Sequence, residues 1–506
     1  MAALVKSWFS APEVNPINYK ARTIPYFNPI DKYGRTLWFN IFGFMIAFLS
    51  WYAFPPLLTV SIKKDLHLSA AEVANSNVIA LSATLLVRLV VGPLCDRYGP
   101  RLVFAWTLIL GAIPTFLAGT VQNAAGIMVV RFFIGILGGT FVPCQVWSTG
   151  FFDKNVVGAA NAITAGIGNA GGGITYFVMP AIYDSLVHKR GLSPHVAWRV
   201  SYVVPGILIL AMAFAILVFG EDTPNGPWRN HTIVNGVDTS SANLVQSAAA
   251  TESTEEPTKQ ASTSRKSSVS DGKATGDVEI VSSSKVDAIA IASHEVIQQP
   301  SLREALPVVM SLETLNLCFG YFNSFGAELA INSILGAYYL RNFPALGQTG
   351  SGNWAAMFGL LNVVTRPLGG FLSDALYKRT NSLWAKKLWN TLLNVLAGVV
   401  AIIIGVIDPH NRPTLVGLIA LLAIPMEMAN GASFSLVPHV HPHANGILSG
   451  LVGAFGNLGG IVFAIIFRYN GTNYPKVFYI IGAIMIGMNL VVAWVRPIPK
   501  GQIGGR

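Results

Sequence analysis

A nine-residue pattern of arginine, glycine and aspartate occurs twice, each time inside a strongly apolar stretch. The pattern RxxxGxxxD runs from Arg88 to Asp96 and again from Arg366 to Asp374. Residues spaced by four share one face of a helix, so the arginine, glycine and aspartate of each copy lie on the same side. These two arginines are the residues of the chain whose type and setting most clearly predict chemistry.

Neither arginine has an acidic residue within one helical turn, which indicates a pocket with uncompensated positive charge. An arginine at the centre of a membrane-spanning helix costs about 2.5–3.5 kcal/mol to insert and normally faces an interior cavity with a partner. Guanidinium is planar, remains charged and pairs with planar oxyanions through two parallel hydrogen bonds. The alternative is a structural ion pair with Glu328 or Glu427. A matched pair of arginines favours an anion-binding site.

A glycine-rich phrase with a central asparagine follows each arginine, GNAGG at 168–172 and GNLGG at 456–460. The separations from 88 to 366 and from 169 to 457 are 278 and 288 residues, which predicts two structurally similar halves. Asn169 and Asn457 can donate N–H bonds to an anion or bridge helices instead. The glycines allow close helix packing. They are Gly168, Gly171, Gly172, Gly456, Gly459 and Gly460.

The composition is that of a membrane protein with several spans. Charged residues make up 11% and hydrophobic residues 52% of the 506 residues, against about 25% charged in soluble domains. Twelve stretches are long and apolar enough to span a bilayer, which predicts an all-α fold of twelve transmembrane helices with an amphipathic lead-in near 302–306. The stretches are 36–60, 73–95, 102–120, 125–147, 157–182, 199–219, 305–340, 351–375, 385–407, 413–436, 445–468 and 474–496.

Between the sixth and seventh spans the composition changes to Ser, Thr, Glu, Lys and Gly, which predicts a flexible linker. Most Lys and Arg residues outside the spans fall on the side of the tails and linker, so both termini are predicted to be cytoplasmic. The sequon at Asn470 lies on the other side, close to the membrane. The predicted regions are an N-terminal tail 1–35, a six-helix bundle 36–219, the linker 220–302, a second bundle 303–496 and a C-terminal tail 497–506.

Several functional classes are disfavoured. The net charge of +10 is not gathered into an aromatic-interleaved basic patch, which argues against nucleic-acid binding. The three cysteines lie in apolar runs, and no CxxC or HExxH motif occurs, so no metal site or cofactor is predicted. His439, His441 and His443 alternate in a proline-containing loop, which is poor geometry for a metal. No nucleophile or cofactor constellation suggests an enzyme.

Residues 92–101, GPLCDRYGPR, resemble the loop between the second and third helices of the major facilitator superfamily. A weaker copy lies at 370–374, GFLSD, and RFFIG at 131–135 resembles the fourth-helix motif of that superfamily. The resemblance implies two pseudo-symmetric six-helix bundles. It also implies a cytoplasmic gate with close helix approaches at the glycines. The implied gate residues are Gly92, Asp96, Arg97, Arg101, Gly370 and Asp374.

Within that superfamily, the two asparagine-containing phrases resemble the signature helices of the nitrate/nitrite porter family, most closely its fungal high-affinity nitrate transporters. Phrases at 48–56, 138–145, 324–332 and 438–443 are also similar. The resemblance implies that Arg88 and Arg366 clamp the substrate anion and that Asn169 and Asn457 contribute selectivity. It further implies that the site is walled by Phe48, Phe141 and Tyr321.

The resemblance therefore implies a secondary active importer of nitrate and nitrite in the plasma membrane, functioning as a monomer surrounded by lipid. Coupling to protons is expected, with Glu328 and Glu427 as candidate carriers. The alternatives are nitrate/nitrite exchange, a nitrate sensor that does not transport, and transport of a different anion such as sulfate, phosphate or a carboxylate.

Overall fold

The structure is a computed structural model that describes residues 8–16, 18–228 and 302–499. The predicted flexible linker falls almost entirely on 229–301, outside the described residues. Residues up to 228 are called the first half below, and residues from 302 the second half.

Each apolar stretch of the first half folds as helix, because a helix satisfies its own backbone N–H and C=O groups where water is absent. Short 3-10 or π segments connect some helices, for example Gly135–Thr140 between α6 and α7. The α-helices are α1 Lys32–Trp51, α2 Phe54–Leu57, α3 Lys63–Asp65, α4 Ala70–Tyr98, α5 Pro100–Leu117, α6 Ala124–Ile134, α7 Phe141–Phe151, α8 Val157–Asn169, α9 Gly171–Asp184, α10 Pro194–Ser201 and α11 Val203–Phe219.

The second half contains longer uninterrupted helices. The lead-in predicted near 302–306 is a separate short helix, and Ser311 caps the helix that follows by accepting a hydrogen bond from the Thr314 backbone N–H. The helices are α12 Leu302–Val309, α13 Leu312–Asn342, α14 Gly347–Thr380, α15 Leu383–Ile407, α16 Arg412–Val440, α17 Asn445–Asn470 and α18 Tyr474–Val491.

Ten helical segments in the described ranges are long and apolar enough to cross a membrane. The all-α membrane fold is thereby confirmed, and the count of twelve spans stays a prediction. The predicted spans 157–182 and 305–340 are not among the ten. The first is divided at Ala170 into α8 and α9, of 13 and 14 residues, and the second is α13, which buries Glu328 and several asparagines.

The two halves pack through glycine-lined crossings that pair α4 with α17 and α14 with α8. A Cβ added to Gly92 would lie 2.6 Å from the Gly446 carbonyl oxygen, and one added to Gly370 would lie 2.6 Å from that of Gly158. Only hydrogen fits at these crossings, so the backbones of different halves come into direct contact. These four helices carry the repeated arginines and asparagines.

The glycine-rich phrases pack within their own halves. A Cβ on Gly171 would lie 2.2 Å from the Met45 carbonyl oxygen of α1, and one on Gly459 would lie 2.2 Å from the Phe322 carbonyl oxygen of α13. Corresponding glycines of the two repeats therefore perform the same packing. The others at these two interfaces are Gly168, Gly172, Gly456 and Gly460.

Candidate functional site

Arg88 extends from α4 of the first half into the interface with the second half. Its Nε donates to the Gly138 carbonyl oxygen, and its Nη1 donates to that of Gly453, both at 2.9 Å. Gly453 belongs to α17, where an added Cβ would lie 3.1 Å from Arg88 Cδ. The arginine side chain is fully buried. Because Gly453 has no side chain, α17 leaves room for the guanidinium of Arg88 on α4.

Arg366 of α14 is buried to the same extent but has fewer partners. Its Nη2 donates to the Tyr321 hydroxyl at 2.9 Å, whereas Nε and Nη1 have no hydrogen-bond acceptor among the described residues. Nη2 of Arg88 also has none. Within the described ranges no carboxylate oxygen lies within 4 Å of either guanidinium. The ion pairs considered from the sequence are absent from this part of the chain.

An aromatic stack lies between the helices that carry these arginines. The rings of Phe141, Tyr321 and Phe325 are nearly parallel, with interplanar angles of 10° to 16° and centroid distances of 4.9 to 6.3 Å. Phe434 meets Phe141 edge-on at 4.6 Å and Tyr321 at 5.0 Å. Residues of both halves thus form one apolar wall that keeps water away from the arginines.

Both guanidinium groups lie near the same two rings. The Arg88 Cζ is 4.9 Å from the Phe141 centroid and 5.2 Å from that of Phe325, and the Arg366 Cζ is 5.6 and 5.7 Å from them. The distances to Phe141 limit the separation of the two guanidinium carbons to their sum, 10.5 Å. Two positive charges are therefore held close together, away from solvent.

A buried carboxyl group with three amide donors lies on the same helix as Tyr321. Glu328 Oε1 accepts hydrogen bonds from Asn169 Nδ2 at 2.5 Å and Asn362 Nδ2 at 2.9 Å, and Oε2 accepts from Asn430 Nδ2 at 2.5 Å. The three donors come from α8, α14 and α16. The hydrogen bond from Asn169 to Glu328 thus joins the first half to the second.

The other two predicted side chains occupy different settings. Asn457 donates to the Gly453 carbonyl oxygen at 3.0 Å, the same oxygen that accepts from Arg88. Phe48 lies one ring beyond the stack, since it contacts Phe44 at 4.4 Å and Phe44 in turn contacts Phe141 at 5.5 Å. The structure therefore brings Arg88, Arg366, Tyr321, Phe141 and Asn457 together, and places Phe48 behind them.

The aspartates of the two repeats cap helices of the opposite half. Asp96 accepts from the backbone N–H groups of Gly446 and Ile447 at the start of α17, at 2.9 and 3.0 Å. Asp374 accepts from the Ala159 N–H near the start of α8 at 2.8 Å, and from Lys386 Nζ at 2.7 Å. A carboxylate at a helix N-terminus is favoured by both the free N–H groups and the helix dipole. The side where α8 and α17 begin is called the linker face.

Arg97 and Arg101 do not extend across the halves. Arg101 Nε pairs with Asp222 at 2.5 Å, and its Nη1 donates to carbonyl oxygens at the end of α11, all within the first half. Arg97 is exposed, with its Cζ 5.2 Å from the Tyr98 ring centroid. Of Asp96, Arg97 and Arg101, Asp96 is the one that binds the opposite half within the described residues.

In the part of the chain that the structure describes, a cavity lies on the side opposite the linker face. A cavity of about 460 Å³ lies there between the ends of α9 and α13 and the segment 55–63, with Lys63, Asp184 and Arg341 in its lining. On the linker face a cavity of only about 50 Å³ lies between Thr149, Trp228 and Asn445. The arginine site is fully buried from both sides.

Several neighbours of the arginines were not anticipated from the sequence. Phe325 follows Tyr321 by four residues, and Asn362 precedes Arg366 by four, so helical spacing alone places each on the face of a predicted site residue. Asn430 and Phe434 follow Glu427, a candidate proton carrier, by three and seven residues on α16, so the same spacing places them on the face of that residue.

The comparisons with known proteins agree with this architecture. A family model described as Major Facilitator Superfamily matches residues 41–300. The chain belongs to the major facilitator superfamily. The human organic anion transporter MFSD10 (TETRAN) has the same fold, with a TM-score of 0.54, 12% identity and coverage of 90% of this chain and 99% of that one.

Sequence relatives place the chain within the superfamily. Elsinochrome transporter 1 of Elsinoe fawcettii is 36% identical over 505 residues, covering 98% of this chain and 99% of the relative. High-affinity nitrate transporter 2.3 of Oryza sativa subsp. japonica is 31% identical, covering 86% and 71%. High affinity nitrate transporter 2.5 of Arabidopsis thaliana is 30% identical, covering 90% and 78%. The predicted family is confirmed: this superfamily member belongs with the nitrate porters and is a membrane transporter, not an enzyme.

Proposed function

We propose that this superfamily member imports nitrate and nitrite through the plasma membrane by proton symport, with Arg88 and Arg366 clamping the anion. In the proposal it works as a monomer in lipid, with both termini and the central linker in the cytoplasm. Two six-helix bundles, 36–219 and 303–496, rock about the central site.

The observation that carries the proposal is the pair of fully buried, mutually close guanidinium groups with three nitrogen atoms lacking acceptors. A hydrogen bond to a charged group contributes about 1.5–3 kcal/mol, so leaving these donors unpaired is unfavourable. A small planar oxyanion can accept from both arginines at once. The nearly parallel rings of Phe141 and Phe325 suit a flat ion better than a tetrahedral one.

The relatives support the same substrate class. Nitrate transporters of a rice, of Arabidopsis and of the alga Chlamydomonas reinhardtii match most of this chain at 29–31% identity. A second candidate is transport of the compound after which Elsinochrome transporter 1 is named, because that relative is 36% identical over nearly its whole length. The buried, donor-only centre favours a small anion over an organic compound.

Alternating access is supported by the contrast between the two faces. Asp96 and Asp374 close the linker face through helix caps that cross the halves. The cavity of about 460 Å³ on the opposite face offers an approach from the other side. An anion entering there would reach the arginines before the linker face opened.

Uptake of ¹³N- or ¹⁵N-labelled nitrate into liposomes that contain the purified protein tests the proposal. Unlabelled nitrite should inhibit uptake, whereas sulfate in large excess should not. Arg88→Ala and Arg366→Ala should abolish uptake while the protein still inserts in the liposomes. If the wild-type protein takes up no nitrate but takes up elsinochrome, the second candidate replaces the first. If it binds nitrate without moving it, the protein is a sensor.

A further inference from the structure

We propose that Glu328 is the proton-binding site of the transport cycle, and that its three asparagine donors couple proton binding to anion binding at Arg366. The inference rests on the proposed function and deepens it.

The carboxyl group of Glu328 is surrounded by neutral hydrogen-bond donors. Glu328 is fully enclosed by protein and has no cationic partner within 4 Å in the described residues. Its two oxygens accept three amide N–H bonds from three different helices. An ionised carboxylate only accepts hydrogen bonds, so this shell matches the ionised form.

The shell also tolerates the protonated form. Within the part of the chain that the structure describes, the amide oxygens of Asn169, Asn362 and Asn430 have no hydrogen-bond partner. Rotation of one amide by half a turn presents its oxygen instead of its N–H₂ group, and a protonated Glu328 can then donate to it. A group that gains and loses a proton in every cycle needs such an environment. Fixed backbone donors would serve only one of the two forms.

Glu427 is the other carboxyl considered from the sequence, and its environment differs. Its Oε2 lies 2.5 Å from the Thr365 hydroxyl, which also lies 2.8 Å from the Leu361 carbonyl oxygen. A hydroxyl has one hydrogen, and here it has two acceptors. A permanently protonated Glu427 resolves this by donating to Thr365, which donates to Leu361. Glu427 is therefore assigned a structural role.

Glu328 is linked to the proposed anion site through α14. Asn362 and Arg366 are one turn apart on α14, so the guanidinium that lacks two acceptors lies beside the shell of Glu328. Among the described residues, four charged or titratable groups interact electrostatically with Glu328. They are Arg366 on α14, Glu427 on α16, Tyr321 on α13 and Tyr52 after α1. Arg366 is the positive group in this set.

Coupling follows from competition for that positive charge. Without an anion, Arg366 stabilises the ionised Glu328 through space. An anion on the clamp neutralises Arg366 and places a negative charge near Glu328, so Glu328 takes up a proton. Linkage is reciprocal, and a protonated Glu328 in turn favours anion binding. Protonation also weakens the bond to Asn169, the contact of this cluster that joins the two halves.

The test compares net accumulation with exchange in liposomes. Glu328→Gln should still exchange external labelled nitrate for internal nitrate, because exchange requires no net movement of protons. It should lose the roughly tenfold extra accumulation that one pH unit supplies per coupled proton. Glu427→Gln is the matched control and should keep that accumulation. A Glu328→Gln protein that still accumulates nitrate under the pH gradient overturns the inference, whereas a wild type that neither binds nor exchanges nitrate overturns the proposed function.

Asn430→Ala provides a second readout in case Glu328→Gln does not fold. Removing one donor destabilises the ionised carboxylate, so the external pH of half-maximal uptake should move upward. A structural role alone would lower the rate and leave this midpoint in place. An unchanged midpoint contradicts the assignment of Glu328.

Discussion

Two guanidinium groups held near the same rings repel one another unless a negative charge lies between them. Lysine keeps the charge but loses the planar fork, and so cannot form two parallel hydrogen bonds to one anion. We expect Arg88→Lys and Arg366→Lys each to weaken nitrate affinity roughly 10- to 100-fold, since each lost bond contributes about 1.5–3 kcal/mol. The concentration dependence of initial uptake rates measures this effect.

Arg97→Lys is the matched control for the lysine variants. It makes the same substitution on the same helix, α4, at an exposed position. Nitrate affinity should be unchanged in this protein. Wild-type affinity in the Arg88 or Arg366 variant would show that the fork geometry is irrelevant to the substrate.

The Tyr321 hydroxyl is the one side-chain acceptor that Arg366 has in the structure. Tyr321→Phe keeps the stacked ring and removes only this oxygen, so the hydrogen bond that orients the Arg366 guanidinium toward the anion is lost. We expect nitrate affinity to fall about tenfold, as for loss of one hydrogen bond to a charged group. Tyr339→Phe is the control, because Tyr339 is buried on the same helix and its hydroxyl has no partner. Equal uptake curves for the two variants would assign Tyr321 to packing alone.

At the linker face, a carboxylate of one half binds the start of a helix in the other half. Asp96 accepts from two N–H groups at the start of α17, and a carboxylate at such a position contributes up to about 2 kcal/mol. Asp96→Asn should therefore shift the equilibrium toward an open linker face by roughly 5- to 30-fold. Maleimide labelling of a Thr149→Cys reporter, with the native cysteines replaced by serine, measures the opening. Asp222→Asn should leave labelling unchanged, because Asp222 pairs with Arg101 inside one half.

A short helix on the opposite side is held by a single aspartate. Asp65 of α3 accepts from Arg199, Trp198 and His195 of α10 at 2.8 to 2.9 Å. Burial raises the pKa of Asp65, but these hydrogen bonds outweigh it and lower the pKa from 3.8 to about 2. A depressed carboxyl pKa stabilises the fold above the ordinary pKa and loses that effect as pH falls from about 4 toward 2.

The contribution of Asp65 is about 2 kcal/mol at neutral pH. Asp65→Asn should lower the melting temperature of the detergent-solubilised protein at pH 7, and the difference from wild type should vanish near pH 2. Asp408→Asn is the control, since the pair of Asp408 with His410 is exposed. A melting difference that persists unchanged at pH 2 would contradict the charge-based account.

Elements were easier to predict from the sequence than their pairing. Apolar length fixes where helices form, and the structure agrees for the ten segments that can span a membrane. The repeat indicated that Arg88 and Arg366 occupy equivalent positions. It could not indicate that Asn169 donates to Glu328, because that bond joins residues 159 positions apart on different halves. Arg101 likewise pairs with Asp222, which lies outside the sequence motif that predicted a role for Arg101 at the gate.

In the whole molecule, the corresponding helices of the two repeats each pack on a helix of the opposite half. The arginine helix of each half packs on the asparagine helix of the other, α4 on α17 and α14 on α8, and each arginine helix also carries the aspartate that caps its partner. The same helices therefore carry the proposed anion site and the aspartates that cap helices at the linker face. In the proposed alternating-access cycle, we expect a change at the arginines to be transmitted along these helices to the linker face.

The energetics of import decide between symport and exchange. An inside-negative potential opposes entry of an anion by about 2.3 kcal/mol per 100 mV, so an uncoupled anion would be held roughly 50-fold more dilute inside. We expect liposomes with an inside-negative potential and acid outside to accumulate nitrate well above that level, and to lose the accumulation when a proton ionophore removes the pH gradient. Arg88→Ala liposomes should show neither effect. Uptake that ignores the pH gradient and depends only on nitrite loaded inside would make the protein an exchanger, because the driving force would then come from the outgoing anion.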